Sequence, residues 1–315
     1  MTTLAGARVA VTGGGGFLGR RLVDLLGDTP SVVDVPRRAV VDLTDQHRTL
    51  SWFRDRRPDV VFHLAAEVGG IGANQANPGR FFYANMAMGL NVVEACRLAG
   101  VRKLVVVGTV CAYPRDTPVP FREDDLWNGY PEETNAPYGV AKRALLVMLD
   151  AYRRQYGLNG VFLLPANLYG PGDHFELETS HVIPALIRRF VEARDRRREP
   201  VVLWGTGSPS RDFLYVDDAA RALVLAAERY DGPDPINVGT GRETTIGSLA
   251  GLIAELVGYE GPIVWDPSRP DGQPRRALDT SRARQHLGFE ATTDLRDGLA
   301  ETIAWYEETL SAEAG

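Results

Sequence analysis

The sequence contains few of the features that mark secreted or membrane-spanning proteins. Its 315 residues include two cysteines, Cys96 and Cys111, which cannot form a disulfide framework and fit a reducing compartment. No apolar run approaches the ~18–20 residues of a membrane span. The segment Met1–Ala7 is too short and too polar for a signal peptide. We therefore expect a cytoplasmic protein that does not interact with membranes.

The sequence also lacks a basic stripe. The net charge is −6, from 35 basic and 41 acidic residues, which argues against a nucleic acid as partner. We expect no bound metal. With 44% hydrophobic and 24% charged residues, the composition is that of an ordinary globular protein. A chain of 315 residues is long enough for two domains, or for one large domain with an attached lobe.

Short apolar segments alternate with segments of helical spacing along the first half of the chain. The predicted strands are Arg8–Thr12, Ser31–Val35, Val60–Ala65, Lys103–Val107 and Val161–Leu164, and the predicted helices are Phe17–Leu26, Asp45–Arg56, Phe81–Ala99 and Tyr138–Tyr156. This alternation predicts an α/β fold with a doubly wound parallel sheet of the Rossmann type. Ligands of such sheets bind beyond the carboxyl ends of the strands, near the switch in strand order.

The pattern becomes irregular after about Tyr169, where turn sequences such as Gly170-Pro171-Gly172 interrupt it. We place a smaller C-terminal substrate lobe there. The predicted dinucleotide-binding domain is 1–168, with about 213–240 returning to it. The predicted substrate-binding lobe consists of 169–212 and 241–315.

A glycine-rich turn joins the first strand to the first helix. Gly13, Gly16 and Gly19 have G-x-x-G-x-x-G spacing, and Phe17 and Leu18 lie between the last two. Glycines permit a tight turn and close approach of the backbone to a pyrophosphate, and the following helix directs free N–H groups at the anion. The strand–turn–helix context predicts a nicotinamide dinucleotide site.

The tip of the second strand leaves the choice between NAD and NADP open. Asp34 would hold a ribose diol and favour NAD, whereas Arg37 or Arg38 would hold a 2′-phosphate and favour NADP. Asp42 is an alternative neighbour of the adenine. Near the ends of the predicted strands, the residues that we further expect at the cofactor are Leu43, Leu64, Ala65, Ala66, Pro165 and Asn167.

A tyrosine and a lysine stand four residues apart at a predicted helix start. Tyr138 and Lys142 therefore share one face of the helix, where a neighbouring cation favours the phenolate. Tyr138 can then exchange a proton with a substrate oxygen, and Lys142 can bind the nicotinamide ribose. Thr109 follows the fourth strand and offers a hydroxyl. If the chain stays extended there, Cys111 points the same way as Thr109.

Motifs along nearly the whole chain resemble the GDP-L-fucose synthase family of extended short-chain dehydrogenases/reductases. The stretches that carry the resemblance are Gly108–Pro114, Thr134–Lys142, Ala151–Gly157, Asn167–Asp173, Ser180–Phe190, Arg211–Asp218 and Arg269–Arg275. The resemblance implies C3 and C5 epimerisation of a GDP-4-keto-6-deoxy sugar, followed by hydride transfer to C4 from NADPH. It implies that Thr109, Tyr138 and Lys142 serve the hydride transfer, and that Cys111 and His181 are the acid and base of epimerisation.

The resemblance also extends to substrate binding and assembly. Asn167 is expected to contact the sugar or the nicotinamide. Arg188, Arg211 and Arg275 are candidates for the diphosphate, because guanidinium groups suit phosphate oxygens. Trp204 is a candidate for stacking on the base. The family implies a homodimer formed by the helices that begin near Phe81 and Tyr138.

The chain departs from the synthases at three places. Gly15 stands where they carry an arginine that helps to hold NADP, Thr109 replaces a serine, and Val119–Glu133 is bulkier and more acidic. Losing the arginine favours an alternative, a redox-neutral epimerase with bound NAD. A dehydratase fits less well, because Val110-Cys111 follows Thr109 where dehydratases carry Asp-Glu. A non-enzymatic binding protein would not need Thr109, Tyr138 and Lys142.

Overall fold

In the computed structural model, residues 2–29, 31–177, 179–196, 199–269 and 271–314 are described. The strands are β1 (Arg8–Thr12), β2 (Val32–Asp34), β3 (Val60–His63), β4 (Lys103–Val107), β5 (Gly160–Pro165), β6 (Asn167–Tyr169), β7 (Val201–Trp204), β8 (Ser210–Arg211), β9 (Phe213–Tyr215), β10 (Ile236–Val238), β11 (Thr244–Thr245), β12 (Ile263–Asp266) and β13 (Arg275–Arg276). The helices are α1 (Phe17–Gly27), α2 (Gln46–Arg56), α3 (Ile71–Ala76), α4 (Pro78–Ala99), α5 (Ala136–Tyr156), α6 (Val182–Asp195), α7 (Val216–Arg229), α8 (Ile246–Val257) and α9 (Leu295–Ala314). Two residues named in the sequence analysis lie outside the described residues. Met1 begins the segment that we expect not to be a signal peptide, and Pro270 lies within one of the family motifs.

The central sheet is parallel and has the strand order β10-β5-β4-β3-β1-β2. The predicted α/β class and doubly wound sheet are therefore confirmed, and every predicted element is present with ends within three residues of those expected. Strand β1 lies between β2 and β3, so the chain leaves β1 to one side and returns on the other. This is the switch point at which such sheets bind ligands.

The buried apolar side chains of the described residues form two hydrophobic cores. The first surrounds the central sheet, and the second joins α6, α8 and α9 to β7 and β9. The domain boundaries remain a prediction, but the cores are more interleaved than those boundaries. Leu278, Ala283, Leu287 and Phe289 belong to the first core, although the predicted division assigns them to the smaller lobe.

The segment Val119–Glu133, where we expect a departure from the synthases, contacts the first hydrophobic core and the edge of the central sheet. Phe121 is buried in the first core and its backbone bridges to Leu278. The buried Glu123 carboxylate accepts a hydrogen bond of 2.8 Å from the Asn237 backbone N–H at the sheet edge. In the described part of the chain, no helix is both long and apolar enough to cross a bilayer.

Candidate active site

A cavity of about 1430 Å³ opens at the carboxyl ends of the central strands and continues between the two cores. A typical site for one small molecule has about 300–1,000 Å³. The volume therefore leaves room for a dinucleotide and a second ligand side by side. Most of the predicted site residues line this single cavity, namely Gly13, Gly16, Phe17, Leu18, Gly19, Arg37, Arg38, Asp42, Leu43, Leu64, Ala65, Ala66, Thr109, Cys111, Tyr138, Pro165, Asn167, His181, Trp204 and Arg211.

The glycine turn forms a cradle that side chains would fill. Gly13 has a φ of +76°, and a Cβ there would lie 2.7 Å from the backbone nitrogen of Ala65. A Cβ on Gly19 would lie 2.6 Å from the Cα of Gly14. The turn leads directly into α1, whose first N–H groups have no acceptors within the helix. These features fit the pyrophosphate of a dinucleotide.

The residues expected at the adenosine end separate into two groups. Arg37, Arg38 and Asp42 line the cavity, but Asp34 does not. The Asp34 carboxylate faces Arg8 and Arg56, at 3.8 Å and 3.7 Å. The expectation that Asp34 holds a ribose is therefore not supported, because its side chain is directed toward the arginines that flank β2. Apart from Gly15 and its two chain neighbours, no atom of the described residues lies within 4 Å of a Cβ on Gly15, so its position is open space at the cavity wall.

The tyrosine–lysine pair lies in the first two turns of α5. Lys142 is 2% exposed and does not line the cavity; its Nζ donates to the carbonyl oxygen of Val107 at 2.9 Å. Burial lowers the pKa of Lys142 to about 8. Burial, followed by the charge of Cys111, raises the pKa of Tyr138, contrary to the expected bias toward the phenolate. In the protein alone Tyr138 is therefore a protonated phenol, which is the form needed to donate a proton.

The chain after β4 does not stay extended, so the condition under which Cys111 was expected to point the same way as Thr109 is not met. Val110–Ala112 forms a single 3₁₀ turn, and the Thr109 hydroxyl oxygen caps it by accepting from the Cys111 backbone N–H at 3.1 Å. Cys111 nevertheless reaches the cavity, and its Sγ accepts a hydrogen bond of 3.4 Å from Nη1 of Arg276. Because Thr109 uses an oxygen lone pair for the cap, its O–H remains able to donate to a ligand.

His181 precedes α6 and faces the cavity from the opposite lobe. Desolvation by the surrounding protein, followed by the charge of the nearby His174, lowers the pKa of His181. Its imidazole is therefore neutral near pH 7. The residue nevertheless lines the cavity. The backbone N–H of Gly70 donates to the carbonyl of Thr179 at 2.9 Å, which ties the segment before His181 to the sheet lobe.

Two of the predicted substrate arginines lie outside the cavity. Arg188 pairs with Glu192 at 2.8 Å, and Arg275 pairs with Glu243. Their neighbours Arg189 and Arg276 line the cavity instead. At both places the predicted arginine therefore lies outside the cavity and the next residue along the chain lines it. A helical phase started from His181 would have selected Arg189, because His181, Ala185 and Arg189 recur every four residues on the cavity face.

Sequence reasoning also gave no role to an unusual carboxyl group. Asp173 follows β6 and lines the cavity, and burial raises its pKa to about 7. One oxygen accepts from the His174 backbone N–H at 2.7 Å, while Oδ2 is buried without a partner among the described residues. The Ser180 hydroxyl, in the same cavity, is likewise buried and unpaired in that part of the chain. A ligand hydroxyl would satisfy either group.

Comparisons with known proteins agree with this geometry. A model of the NAD dependent epimerase/dehydratase family matches residues 9–239. The chain is 45% identical over 310 residues to the probable GDP-L-fucose synthase 1 of Oryza sativa subsp. japonica, covering 97% of this chain and 93% of that protein. It is 42% identical over 313 residues to the GDP-L-fucose synthase of Escherichia coli, covering 96% and 97%. Among solved structures, an NADP-bound GDP-L-fucose synthetase from Naegleria fowleri superposes with a TM-score of 0.91 at 29% identity, covering 99% of this chain and 96% of that chain.

Proposed function

The chain belongs to the NAD dependent epimerase/dehydratase family, and from this premise we propose that it is an epimerase/reductase acting on a GDP-linked sugar. The observation that carries the proposal is that the glycine turn, Tyr138, Cys111 and His181 all line one cavity. The substrate proposed is a GDP-4-keto-6-deoxy sugar, inverted at C3 and C5 and then reduced at C4.

The reduction step assigns distinct tasks to the residues on the sheet side. When bound, a nicotinamide supplies the hydride that reduces C4. Tyr138 donates a proton to the C4 oxygen, and its raised pKa keeps that proton in place beforehand. The Thr109 hydroxyl donates a hydrogen bond to the same oxygen. Lys142, fixed by the Val107 carbonyl, supplies positive charge one helical turn from the phenol.

The epimerisation step needs two groups on opposite faces of the sugar. The C4 ketone acidifies the hydrogens on C3 and C5, and inversion requires one group to remove a proton and another to return one. Cys111 follows β4 of the central sheet, whereas His181 directly precedes α6 of the second core, so a sugar in the cavity between them meets both. The neutral imidazole of His181 can accept a proton near pH 7.

Long side chains of the smaller lobe suit the nucleotide diphosphate. Arg189 and Arg211 line the cavity, and burial with the nearby Arg276 lowers the pKa of Arg211 to about 10, so its guanidinium remains protonated at neutral pH. Trp204 is 59% exposed beside the cavity and presents a flat surface for a purine. We assign these three residues to the diphosphate and the base, in place of Arg188 and Arg275.

Solvent isotope incorporation tests the proposed reaction. The purified protein is incubated with GDP-4-keto-6-deoxymannose and NADPH in heavy water, and the product is examined by mass spectrometry. A reduced product with deuterium on ring carbons is expected. Cys111→Ser should decrease deuterium incorporation by a larger factor than it decreases the rate of reduction. Reduction without deuterium would make the protein a plain C4 reductase. Deuterium without NADPH consumption would support the redox-neutral alternative.

We propose NADP rather than NAD as the cofactor. Arg37 and Arg38 line the cavity, whereas the one carboxylate that favoured NAD, Asp34, lies elsewhere. NADPH fluorescence should therefore titrate at lower protein concentration than NADH fluorescence. Arg38→Ala should weaken the binding of NADPH but not that of NADH. Gly15→Arg, whose side chain would extend into open space, should strengthen NADPH binding. Equal binding of both cofactors by the wild type and Arg38→Ala would contradict the assignment.

We also propose a homodimer in the cytoplasm. Apolar side chains are exposed on neighbouring faces of α4 and α5, including Tyr83 at 67%, Leu90 at 41% and Val147 at 52%. Burying these faces against a second copy would remove them from water. Light scattering after gel filtration should give a dimer for the wild type and a monomer for Leu90→Arg. Free thiols at Cys96 and Cys111 fit a reducing compartment.

A further inference from the structure

The guanidinium of Arg276 is held against the thiol of Cys111. Arg276 lies on β13 and is 8% exposed, and its Nη1 donates to the Cys111 Sγ at 3.4 Å. Its Nε and Nη2 donate to Oε1 of Gln273, at 3.1 Å and 2.8 Å. The Gln273 amide is itself anchored by a 2.8 Å hydrogen bond to the carbonyl of Arg115. The arginine is therefore fixed from behind and directed at the sulfur.

Two further titratable groups interact with Cys111. They are Arg211, on β8 beside β13, and Tyr138, on α5. The hydrogen bonds of Arg276 within the described residues go to a neutral amide and to sulfur, whereas the adjacent Arg275 is paired with Glu243. The charge of Arg276 thus acts on the thiol without a carboxylate bonded to it in that part of the chain.

We infer that Arg276 is the positioning residue for Cys111: it orients the sulfur and stabilises negative charge on it. The inference deepens the proposed function, on which its role in turnover rests, but the contact exists in the free protein. When Cys111 removes a proton, the C–H bond breaks, the S–H bond forms and the electron pair moves to the ketone oxygen. When it returns a proton, the S–H bond breaks, the electron pair of the enolate forms the new C–H bond and regenerates the ketone, and the negative charge is left on sulfur. Arg276 stabilises the charged sulfur in both directions.

Alkylation of the free protein tests the contact without any substrate. Iodoacetamide is uncharged and reacts with the thiolate. The only other cysteine, Cys96, is fully buried with a raised pKa, so the label reports Cys111, and Cys111→Ser should abolish labelling. The rate is followed by intact-mass spectrometry. Arg276→Gln should slow labelling roughly tenfold, and Arg276→Lys should restore most of the rate, because it keeps the charge.

Arg275→Gln is the matched control, since Arg275 is adjacent in sequence but lies outside the cavity, and it should leave the labelling rate unchanged. The opposite outcome is equally clear. Glutamine is smaller than arginine, so a purely structural side chain would, when shortened, expose the thiol and speed labelling. An unchanged or faster rate for Arg276→Gln, with NADPH binding intact to show that it folds, would overturn the inference.

Turnover in heavy water separates this inference from the proposed function. Arg276→Gln should reduce deuterium incorporation at ring carbons more than C4 reduction of an already epimerised sugar. If the wild type incorporates no deuterium but Arg276→Gln still slows alkylation, the contact stands and the proposed epimerisation fails. If the wild type incorporates deuterium and Arg276→Gln changes neither the alkylation rate nor the rate of deuterium incorporation, the proposed function stands and Arg276 is not the positioning residue.

Discussion

The two walls of the cavity are built from different materials. On the sheet side, backbone and short side chains at strand ends form the wall, such as the glycine turn, Leu64–Ala66 and Thr109. On the lobe side, long side chains from α6, β8 and β13 do so. The sheet-side residues other than Asp34 and Lys142 lie at the cavity as expected, whereas two of the three predicted lobe-side arginines lie one residue away from those that do.

The difference follows from how direction is encoded. Three glycines spaced for a turn select one backbone path, so position along the chain is enough. Adjacent residues differ in direction by about 100° on a helix and point to opposite faces of a strand. Arg188 and Arg189 are such a pair on α6, and Arg275 and Arg276 are another on β13. The residue type therefore indicates the chemistry, but the orientation of the helix or strand decides which of two adjacent residues faces the cavity.

Removing the Tyr138 hydroxyl should give the largest effect and tests the sheet-side wall. Tyr138→Phe deletes the proposed proton donor, and general acid catalysis contributes about 10²–10⁴-fold. We expect kcat for C4 reduction to fall by that factor in steady-state assays. NADPH binding should stay within about twofold, because the ring still packs in its place. A loss of less than about tenfold in kcat would remove Tyr138 from its proposed role.

The lobe-side wall is tested by the adjacent arginines of α6. Arg189→Ala removes a cation from the cavity and should raise KM for the GDP-sugar about 10–100-fold, because charge-assisted bonds to phosphate are strong. Arg188→Ala breaks a pair with Glu192 outside the cavity and should change KM less than about threefold. The larger effect at Arg188 would reverse the comparison between the two walls.

A pair of glycines provides the corresponding test in the turn. A Cβ on Gly19 would lie 2.6 Å from the Gly14 Cα, a backbone atom that cannot retract as a side chain would, whereas Gly15 faces open space. Gly19→Ala should weaken NADPH binding by roughly tenfold in a fluorescence titration, through displacement of the turn. Gly15→Ala should bind within about twofold of the wild type. Equal affinities for the two variants would contradict the tight packing of the turn.

The smallest expected effect concerns Asp173 and depends on pH. Burial raises the folded-state pKa to about 7, above the ordinary value of 3.8, so the folded protein binds more protons than the unfolded chain between these values. Wild-type stability at this site is therefore highest at low pH and is lost as pH rises toward and through 7. Asp173→Asn should be more stable than the wild type at pH 8 and equal to it near pH 4, because asparagine places no charge in the buried site.

Denaturant unfolding at the two pH values measures this difference. A difference between Asp173→Asn and the wild type that is the same at both pH values would indicate a change of packing rather than relief of a buried charge.

Much of the fold could be predicted from the sequence because alternation of apolar strands and amphipathic helices is a local property. The sheet order also agrees with the expected doubly wound arrangement. The misses have physical causes. The 3₁₀ turn at Val110–Ala112 depends on a cap by the Thr109 side chain, and Asp34 faces arginines brought near it by folding. The raised pKa of Asp173 depends on burial, which no residue pattern around it announces.

The interleaving of the two cores has a consequence for how the chain acquires its structure. The sheet core uses residues from Leu4 to Phe289, and the other core uses residues from Tyr169 to Tyr306. During synthesis, the sheet core therefore lacks Leu278, Leu287 and Phe289 until most of the polypeptide has left the ribosome. A single crossover between two related genes, placed anywhere between Tyr169 and Phe289, would likewise split both cores. An exchange of substrate lobes would have to replace several separate segments at once.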